Sequence, residues 1–471
     1  MKKRSQKRGI MGNTSILTLI ILFLLVTACN SNQNTPKDSN KEHTEKSTKV
    51  KHPEWSKNAV IYEVNIRQYT EEGTFKAFEE HLPRLKELGV DILWLMPIHP
   101  IGEKNRKGKL GSYYSVKDYK GVNSNFGTKE DFRNLVKEIH KQDMKIILDW
   151  IANHTSWDNP MINEHPEWYT KDSSGNFQAP VDDWTDVADL NYKNQELSDY
   201  MTEAMKYWVD DFNIDGYRCD VAGMVPTSFW NNTRKELNNI KDVFMLAEAN
   251  EVKLHEKAFD MTYAWDIHFI MNDIASEKKN ANHLGKKLKE EQKKYPQNAY
   301  RMMFTSNHDE NSWKGSVYER LGGGVKTFAV LTYTLPGMPL IYSGQEACLD
   351  KRLEFFEKDQ IDWKTCDMTK LYQQLSKLKK ENKALWNGKY GGHYERIGTN
   401  NDKKVFVFMR QKNDNQILVI SNLSKGLQEI SFKGNKHYGN YQGYFSKQEI
   451  SFSDNSSVKL KPWEYKVYIK K

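Results

Sequence analysis

Four apolar runs of this sequence end in side chains that can perform acid–base or nucleophilic chemistry. Their acidic residues are Asp149, Asp220, Glu248 and Asp309. Two carboxyl groups on either side of one bond can share a displacement reaction, with one attacking and the other donating a proton. Arg218 lies two positions before Asp220, so both side chains point to the same face of a strand. A fixed guanidinium there would keep Asp220 ionised, as a nucleophile requires.

The spacing of these acidic residues predicts the architecture that brings them together. Successive acids are 71, 28 and 61 residues apart. In a (β/α)8 barrel of about 250 residues, one strand–helix unit takes roughly 31 residues. The gaps then correspond to one unit with an insertion of about 40 residues, to one unit, and to two units. The carboxyl ends of all barrel strands open on one rim, which is where such barrels build active sites.

Strand-like and helix-like segments alternate along the chain, which is typical of a parallel sheet with crossover helices. Residues 60–66 and 90–96 are predicted strands, and residues 75–88 have the apolar spacing of a helix that ends at Gly89. The alternation continues to an eighth predicted strand at residues 339–343.

Two segments depart from the alternation. Residues 151–191 are rich in Asp, Asn, Pro and Trp and lack a long periodic element, so they are predicted to form a small inserted domain after the third strand. From residue 385 the chain contains short β-type runs. We therefore predict an α/β fold: a (β/α)8 TIM barrel over residues 55–384 that carries the insertion, and a C-terminal antiparallel β-sandwich domain over residues 385–471.

The N-terminus has the features of a targeting segment. A basic N-terminal segment precedes an apolar run, residues 16–26, which is shorter than the ~20 residues that a transmembrane helix needs. The run leads into Val-Thr-Ala-Cys, which resembles a bacterial lipobox, so residues 1–28 are a predicted lipoprotein signal peptide and Cys29 is the predicted lipidated residue. Residues 29–54 are polar and are predicted to be a disordered tether. These features predict a lipid anchor to a membrane of the bacterial cell envelope, with an ordinary signal peptide as the alternative.

The net charge of the chain bears on whether it binds nucleic acid. The formal charge of +8 falls to +3 without the signal peptide, which holds five basic residues and no acid. The sequence contains no basic stripe with interleaved aromatic residues, so it gives no indication of nucleic-acid binding.

Lipidation of Cys29 would leave three cysteines, Cys219, Cys348 and Cys366, and this odd number implies no disulfide framework. Cys219 is predicted to be a small buried packing residue.

Paired carboxylates at a barrel rim suit the cleavage of glycosidic bonds, which passes through an oxocarbenium-like transition state. In retaining enzymes the two carboxyl groups lie ~5 Å apart, and Asp220 and Glu248 on neighbouring strands could meet that separation. Glu248 must be protonated to act as the acid, so we predict that its surroundings raise its pKa. His308 and Asp309 offer a hydrogen-bond donor and a second carboxylate to the sugar hydroxyls.

Together, the four runs resemble the motifs of the α-amylase family of glycoside hydrolases (family 13), in the same order and at similar spacing. The matching motifs are Asp149-x-x-x-Asn153-His154, Gly216-Tyr217-Arg218-x-Asp220, Glu248 and Asn307-His308-Asp309. The resemblance covers about residues 55–471. It implies that the insertion is the family's domain B and that the C-terminal domain is its domain C.

The resemblance also implies a role for each motif residue. Asp220 would be the nucleophile, Glu248 the general acid/base and Asp309 the stabiliser of the transition state. The residues that would bind the sugar in subsite −1 are Tyr114, His154, Arg218 and His308. Asp149 is predicted to support the site from the rim without contacting substrate.

The resemblance leaves open whether the protein binds a structural calcium ion. Many family members have Lys and His three and four positions after the nucleophile, where this chain has Gly223 and Met224. The lysine commonly contacts sugar on the leaving-group side, so specificity there is open. The histidine commonly lends calcium its backbone carbonyl, which Met224 also possesses. Asn153 and Asp189 are the candidate side-chain ligands, whereas calcium takes 6–8 oxygens.

The sequence therefore predicts a retaining hydrolase of α-1,4-glucosidic bonds in starch, maltodextrins or related α-glucans. Two alternatives use the same scaffold: a transglycosylase, and an oligosaccharide-specific enzyme of the cyclomaltodextrinase or neopullulanase type. A third alternative is a non-catalytic glycan-binding lipoprotein, which the presence of all three carboxylates disfavours. The sequence does not determine endo or exo action, chain-length preference or oligomeric state.

Overall fold

The computed structural model of the protein describes residues 50–471, so the predicted signal peptide, Cys29 and most of the predicted tether lie outside the described residues. The strands of the barrel and of the inserted segment are β1 (Ile61–Val64), β2 (Ile92–Leu95), β3 (Lys145–Trp150), β4 (His154–Ser156), β5 (Val187–Asp189), β6 (Gly216–Cys219), β7 (Phe244–Ala247), β8 (Met261–Tyr263), β9 (Tyr300–Met303) and β10 (Met338–Tyr342). The helices are α1 (Ile66–Tyr69), α2 (Phe75–Glu79), α3 (Leu82–Leu88), α4 (Lys129–Lys141), α5 (Met161–Glu164), α6 (Gln195–Asp211), α7 (Thr227–Asn238), α8 (Trp265–Ala275), α9 (Ala281–Lys294), α10 (Val317–Leu321), α11 (Val325–Thr334) and α12 (Asp367–Glu381).

Parallel strands close the predicted barrel in the order β1-β10-β9-β8-β7-β6-β3-β2, which confirms the (β/α)8 prediction. The strands that precede the catalytic candidates Asp220 and Glu248, β6 and β7, are direct neighbours. The amide of Glu248 donates to the carbonyl of Cys219 at 3.0 Å, so the ladder continues to the rim. Gly216 begins β6 with φ of 148°, and a Cβ there would lie 1.9 Å from the carbonyl oxygen of Phe244, so glycine permits this close pairing.

Apolar side chains hold the barrel together from both of its sides. The barrel interior is filled by large residues, among them Trp94, Ile147, Leu246 and Tyr263. On the outside, amphipathic helices pack against the strands; α4, for example, buries Phe132, Leu135, Val136 and Ile139. A capping box between Thr128 and Asp131 starts α4 and satisfies its first free amides.

The helix predicted over residues 75–88 is divided into α2 and α3. Pro83 lies in the first turn of α3 and has no amide to donate to the preceding turn, so an uninterrupted helix would be broken there. α3 ends at Gly89, as predicted, in the left-handed conformation.

The inserted segment between β3 and α6 contains the antiparallel pair β4–β5, in which His154 lies opposite Asp189. The C-terminal strands are β11 (His393–Ile397), β12 (Val405–Lys412), β13 (Asn415–Asn422), β14 (Gln428–Ser431), β15 (Gly439–Gly443), β16 (Glu449–Phe452), β17 (Ser457–Leu460) and β18 (Tyr465–Lys470). They form an antiparallel sheet, β11-β12-β13-β18-β15-β16, and the pair β14–β17. Ile430 and Val458 of the pair share one apolar core with Val407 and Ile420 of the sheet, which confirms the antiparallel C-terminal β domain.

The odd number of cysteines implied no disulfide framework, and the structure corrects this expectation, because Cys348 and Cys366 are bonded to each other. An odd number of cysteines does not show which of them are paired. In the fold, Cys366 directly precedes α12 and lies next to the loop after β10, which contains Cys348. Cys219 is buried and unpaired, as predicted. Among residues 50–471, no helix is both long and apolar enough to cross a membrane.

Candidate active site

The carboxyl ends of the barrel strands open into a cleft of about 610 Å³. The predicted site residues that line this cleft are Tyr114, His154, Asp220, Glu248, His308 and Asp309. Arg218 and Asp149 are fully buried and hold the lining residues by hydrogen bonds and ion pairs. The fold therefore brings together side chains from five segments that are far apart in sequence.

Arg218 is the electrostatic centre of the site. Its Nη1 donates to Asp149 at 2.7 Å and to Asp220 at 2.9 Å. Its Nη2 lies 2.7 Å from Glu248 Oε2 in an ion pair that falls outside hydrogen-bonding geometry. Its Nε donates to the hydroxyl of Tyr263 at 3.2 Å. One cation thus serves three carboxylates, and the site carries an excess of negative charge.

The distribution of protons over Asp220 and Glu248 differs from the sequence prediction. Burial raises the pKa of Asp220 well above its usual range; Arg218 opposes this shift, and the carboxylates of Glu248 and Asp149 add to it. Burial also acts to raise the pKa of Glu248, but Arg218, the amide of Val221 and a hydrogen bond from Asp220 outweigh it and lower that pKa. The predicted rise at Glu248 is therefore wrong. The two carboxyl groups are therefore coupled through their hydrogen bond, and the shifts favour a proton on Asp220 over one on Glu248.

Asp149 supports the site, as predicted, and does not line the cleft. Its Oδ1 accepts from Arg218, while Oδ2 accepts from Trp94 Nε1 at 3.1 Å and from the Tyr114 hydroxyl at 3.0 Å. These bonds fix the guanidinium and the Tyr114 ring relative to each other. Trp94 is a supporting residue that the sequence analysis did not single out.

His308 is held in its charged form by a carboxylate that the sequence analysis also missed. Its Nδ1 lies 2.5 Å from Glu63 of β1, and its Nε2 lies 2.8 Å from the Tyr114 hydroxyl. Because that hydroxyl donates to Asp149, it accepts from Nε2, so both ring nitrogens donate. Burial alone would lower the pKa of His308, but Asp309 and Glu63 raise it to about 9. Burial raises the pKa of Glu63 in turn, and the charge of His308 and its hydrogen bond to Glu63 oppose this rise.

His154 has the opposite character and is neutral. Burial lowers its pKa to about 4, with the Tyr114 backbone opposing the shift. Its ring meets the edge of Trp184 with 5.5 Å between ring centroids. A neutral imidazole can donate from one nitrogen and accept at the other, which suits contact with a sugar hydroxyl.

Aromatic residues form much of the cleft wall, and sequence patterns did not identify them individually. Phe355 stacks on Tyr114 with centroids 6.2 Å apart, and Trp313 packs on Phe355 at 5.3 Å. Trp184 and Phe356 also line the cleft. Flat apolar rings beside carboxylates are suited to the faces of pyranose rings. The one available signal was position, since Trp313 follows Asp309 by four residues.

The two calcium-ligand candidates lie near each other in the β4–β5 region, where the amide of Leu190 donates to the carbonyl of Asn153 at 3.0 Å. Asp189 is partly exposed, and its backbone carbonyl accepts from Thr170. Among residues 50–471, no group of three or more His, Cys, Asp or Glu side chains is arranged to hold a metal ion. Asn153 and Asp189 alone do not fit a calcium site of 6–8 oxygens. No step of the chemistry is therefore assigned to calcium.

Comparison with known proteins shows which family the chain belongs to. The sequence matches the family "Alpha amylase, catalytic domain" over residues 34–184 and 161–419. The chain belongs to the α-amylase family. One curated relative in that family, α-amylase 2 of Dictyoglomus thermophilum, is 26% identical over 442 residues, which cover 84% of this chain and 73% of the relative.

Solved structures from the α-amylase family show the same fold. A noncanonic maltogenic α-amylase from Thermotoga neapolitana superposes with a TM-score of 0.81 at 29% identity, covering 88% of this chain and 98% of that one. An α-amylase from Lactobacillus plantarum has a TM-score of 0.79 at 30% identity, covering 88% and 99%. As a member of the α-amylase family, this protein is a glycoside hydrolase.

Proposed function

We propose that the protein hydrolyses α-1,4-glucosidic bonds of starch, maltodextrins or related α-glucans with retention of configuration. The observation that carries this proposal is the ion-paired set in which Arg218 holds both Asp220 and Glu248 on neighbouring strands of the rim. Retention requires two carboxyl groups close enough for one to attack the anomeric carbon while the other protonates the leaving oxygen.

The shared proton provides the starting state. Transfer of the proton along the hydrogen bond from Asp220 to Glu248 yields an ionised nucleophile and a protonated acid in one step. Asp220 then attacks the anomeric carbon as the glycosidic C–O bond breaks, and the leaving oxygen takes the proton from Glu248. Glu248 next removes a proton from water, the water oxygen attacks the anomeric carbon, and Asp220 leaves as a carboxylate.

The remaining cleft residues act on the sugar. Asp309 is half-exposed to the cleft and supplies negative charge where the oxocarbenium-like transition state becomes positive. Tyr114 offers its ring face to the sugar in subsite −1, and neutral His154 offers a hydrogen bond. Charged His308 holds Tyr114 in place and lies 3.4 Å from Asp309. Arg218, beneath the cleft floor, acts on substrate by holding Asp220.

The test is to incubate purified protein with starch, maltotriose, cyclodextrin and pullulan and to follow the anomeric protons of the products by NMR. Retention gives α-anomers first, before mutarotation. Initial β-anomers would contradict the mechanism. Binding of these glucans with no cleavage would favour the non-catalytic glycan-binding alternative.

Transglycosylation is the alternative that a specific feature favours. Val221 lines the cleft beside Glu248, and Met224 in the same turn is 47% exposed. An apolar surface beside the acid/base suits a second sugar better than it suits water. Sugar transfer would appear as products longer than the substrate when maltotriose is supplied at high concentration. Cyclodextrin cleaved faster than starch would instead indicate the oligosaccharide-specific alternative.

We further propose that Cys29 is lipidated and anchors the enzyme to the bacterial cell envelope. The lipobox-like sequence before Cys29 and the polar stretch from there to the barrel support this proposal. Fractionation of cells that express the wild type and the Cys29→Ser variant tests it. The wild type should be in the membrane fraction and the variant should not; equal partition of both would contradict the anchor.

A further inference from the structure

A second cavity, of about 640 Å³, lies between the barrel and the C-terminal domain. Its wall includes Arg301 and Met303 of β9, Tyr394 of β11 and Arg410 of β12. The neighbouring residues of β9, Tyr300 and Met302, belong to the barrel interior, so the cavity lies against the outer face of the barrel. Among the described residues, those that line this cavity and those that line the catalytic cleft form separate sets.

A buried cation without an acidic partner borders this cavity. Arg410 is 1% exposed, and its Nη atoms donate only to backbone carbonyls, at 3.1–3.5 Å. Its Nε has no hydrogen-bond partner among residues 50–471. Burial lowers the pKa of this guanidinium to about 9, and no carboxylate counteracts the shift. Arginine is rarely buried completely unless it is paired with an acid.

A second basic side chain, Lys379 of α12, is buried in the same region and interacts with Arg410. Its side chain is fully buried and donates to the carbonyls of Gly337 and Leu385, at 3.2 and 2.6 Å. Burial lowers its pKa far below the usual range and Arg410 lowers it further, while Asp91 opposes the shift. Within the described chain, neither side chain forms an ion pair with an acidic side chain. The unpaired buried charge of Arg410 is costly unless a counter-charge is supplied.

The cavity wall offers further donors and room for a ligand beside the guanidinium. The hydroxyl of Tyr394 is buried and has no partner within residues 50–471. The one carboxylate of the wall, Glu291, is already paired with Arg301 at 2.8 Å. A Cβ at Gly391 would lie 2.6 Å from Arg410 Nη2, so the wall approaches the guanidinium closely only because residue 391 is glycine. The lining therefore has uncompensated positive charge and spare donors.

We propose that this cavity binds a phosphate group, either inorganic or carried by a small sugar, and that Arg410 is its principal ligand. A planar guanidinium matches an oxyanion with two parallel hydrogen bonds, which a halide cannot accept in the same way. The bound anion supplies the missing counter-charge for Arg410. The long bonds from Arg410 to carbonyls are those that the anion would replace.

The test uses the wild-type protein and isothermal titration calorimetry with two ligands, inorganic phosphate and glucose 1-phosphate, in a chloride buffer of constant ionic strength. We expect saturable binding with one site for each chain. Similar affinity for both ligands assigns recognition to the phosphate group alone. Tighter binding of glucose 1-phosphate assigns it to a sugar phosphate. The absence of saturable binding of both ligands overturns the proposal and leaves Arg410 as a cap for the carbonyls at the end of α11.

Variants locate the site. Arg410→Met, which keeps the length of the side chain, should bind at least tenfold more weakly, whereas Lys461→Met, which removes an exposed charge, should bind as the wild type does. If Arg410→Met does not fold, Tyr394→Phe decides, because loss of one hydroxyl should weaken binding severalfold. If Arg410→Met folds and binds the ligands as tightly as the wild type, the assignment is overturned. If it does not fold, unchanged affinity in Tyr394→Phe overturns it. Starch hydrolysis by the folded variants should equal that of the wild type, since the cavity is separate from the cleft.

Discussion

His308 Nδ1 lies 2.5 Å from a carboxylate oxygen of Glu63, a residue 245 positions earlier in the chain. β1 and the segment after β9 are brought together by closure of the barrel, so this pair exists only in the folded protein. The pair keeps His308 charged, and the ring in turn holds Tyr114, which donates to Asp149, beside the proposed nucleophile.

Replacing Glu63 by Gln should move the alkaline limb of the activity profile to lower pH. The carboxylate helps to raise the pKa of His308 to about 9, so without it the pKa should fall towards the ordinary value near 6.5. Measurement of kcat/KM against pH, together with NMR titration of the His308 ring, tests this. Asp215→Asn is the matched control, because Asp215 is also a buried carboxylate paired with a histidine, His140 at 2.7 Å.

The ion pair between His308 and Glu63 also contributes to folding stability, and the pKa of His308 fixes how that contribution changes with pH. The folded-state pKa of His308 lies above the unfolded value, so its contribution is fully present below about pH 6.5 and is lost as pH rises through about 9. The wild type should therefore lose more stability than Glu63→Gln between these pH values. Equal losses would contradict the assigned charge state.

The two catalytic carboxylates should be separable by the leaving group. Asp220→Asn and Glu248→Gln should each reduce starch hydrolysis by about 10²–10⁴-fold or more. With α-glucosyl fluoride, whose leaving group needs no proton, Glu248→Gln should recover much of the first step and Asp220→Asn should not. Initial rates of fluoride release measure this, with Asp454→Asn as an exposed control. If Asp220→Asn recovered fluoride release instead, Asp220 would be the acid/base and Glu248 the nucleophile.

Trp313 should determine the binding of longer chains. Its ring is 50% exposed and packs on Phe355, next to Tyr114. Trp313→Ala should raise KM for maltoheptaose about fivefold, which corresponds to ~1 kcal/mol of stacking, with kcat nearly unchanged. Phe269→Ala is the control, because Phe269 is also 50% exposed but does not line the cleft. A fall in kcat with unchanged KM would assign Trp313 to the chemical step.

The disulfide between Cys348 and Cys366 should stabilise both the fold and the cleft wall. It closes the loop that carries Phe355 and Phe356, with a sequence separation of 18 residues. The double variant Cys348→Ser/Cys366→Ser should lose about 3 kcal/mol of unfolding free energy and bind maltotriose more weakly. Urea denaturation and KM measure the two effects. An unchanged KM would show that other contacts hold the loop.

Calcium should not contribute to stability. Asn153 and Asp189 provide too few oxygens for a calcium site, so we expect EDTA and added calcium chloride to leave Tm unchanged. Thermal unfolding of the wild type and of Asp189→Asn measures this. A rise in Tm with calcium that Asp189→Asn abolishes would establish a site whose remaining oxygens come from the backbone or water.

The positions of the proposed catalytic carboxylates were predictable because each follows a strand, and the carboxyl ends of all barrel strands meet at one rim. Periodicity and spacing therefore identified Asp220, Glu248 and Asp309 before any contact was known. Glu63 was not identified, although an acid inside the apolar run of β1 was a visible signal. Trp184 and Phe355 carried no such signal, since aromatic residues are equally common in cores.

The sequence by itself determined the barrel, the order of its motifs and the side chains able to perform the chemistry, because these depend on local periodicity and chain distance. The tertiary structure alone decided where the protons lie and what surrounds the sugar. Burial raises the pKa of Asp220, whereas the guanidinium of Arg218 helps to lower that of Glu248. Such long-range electrostatics, like the pairing of Cys348 with Cys366, depends on distances that exist only after the chain has folded.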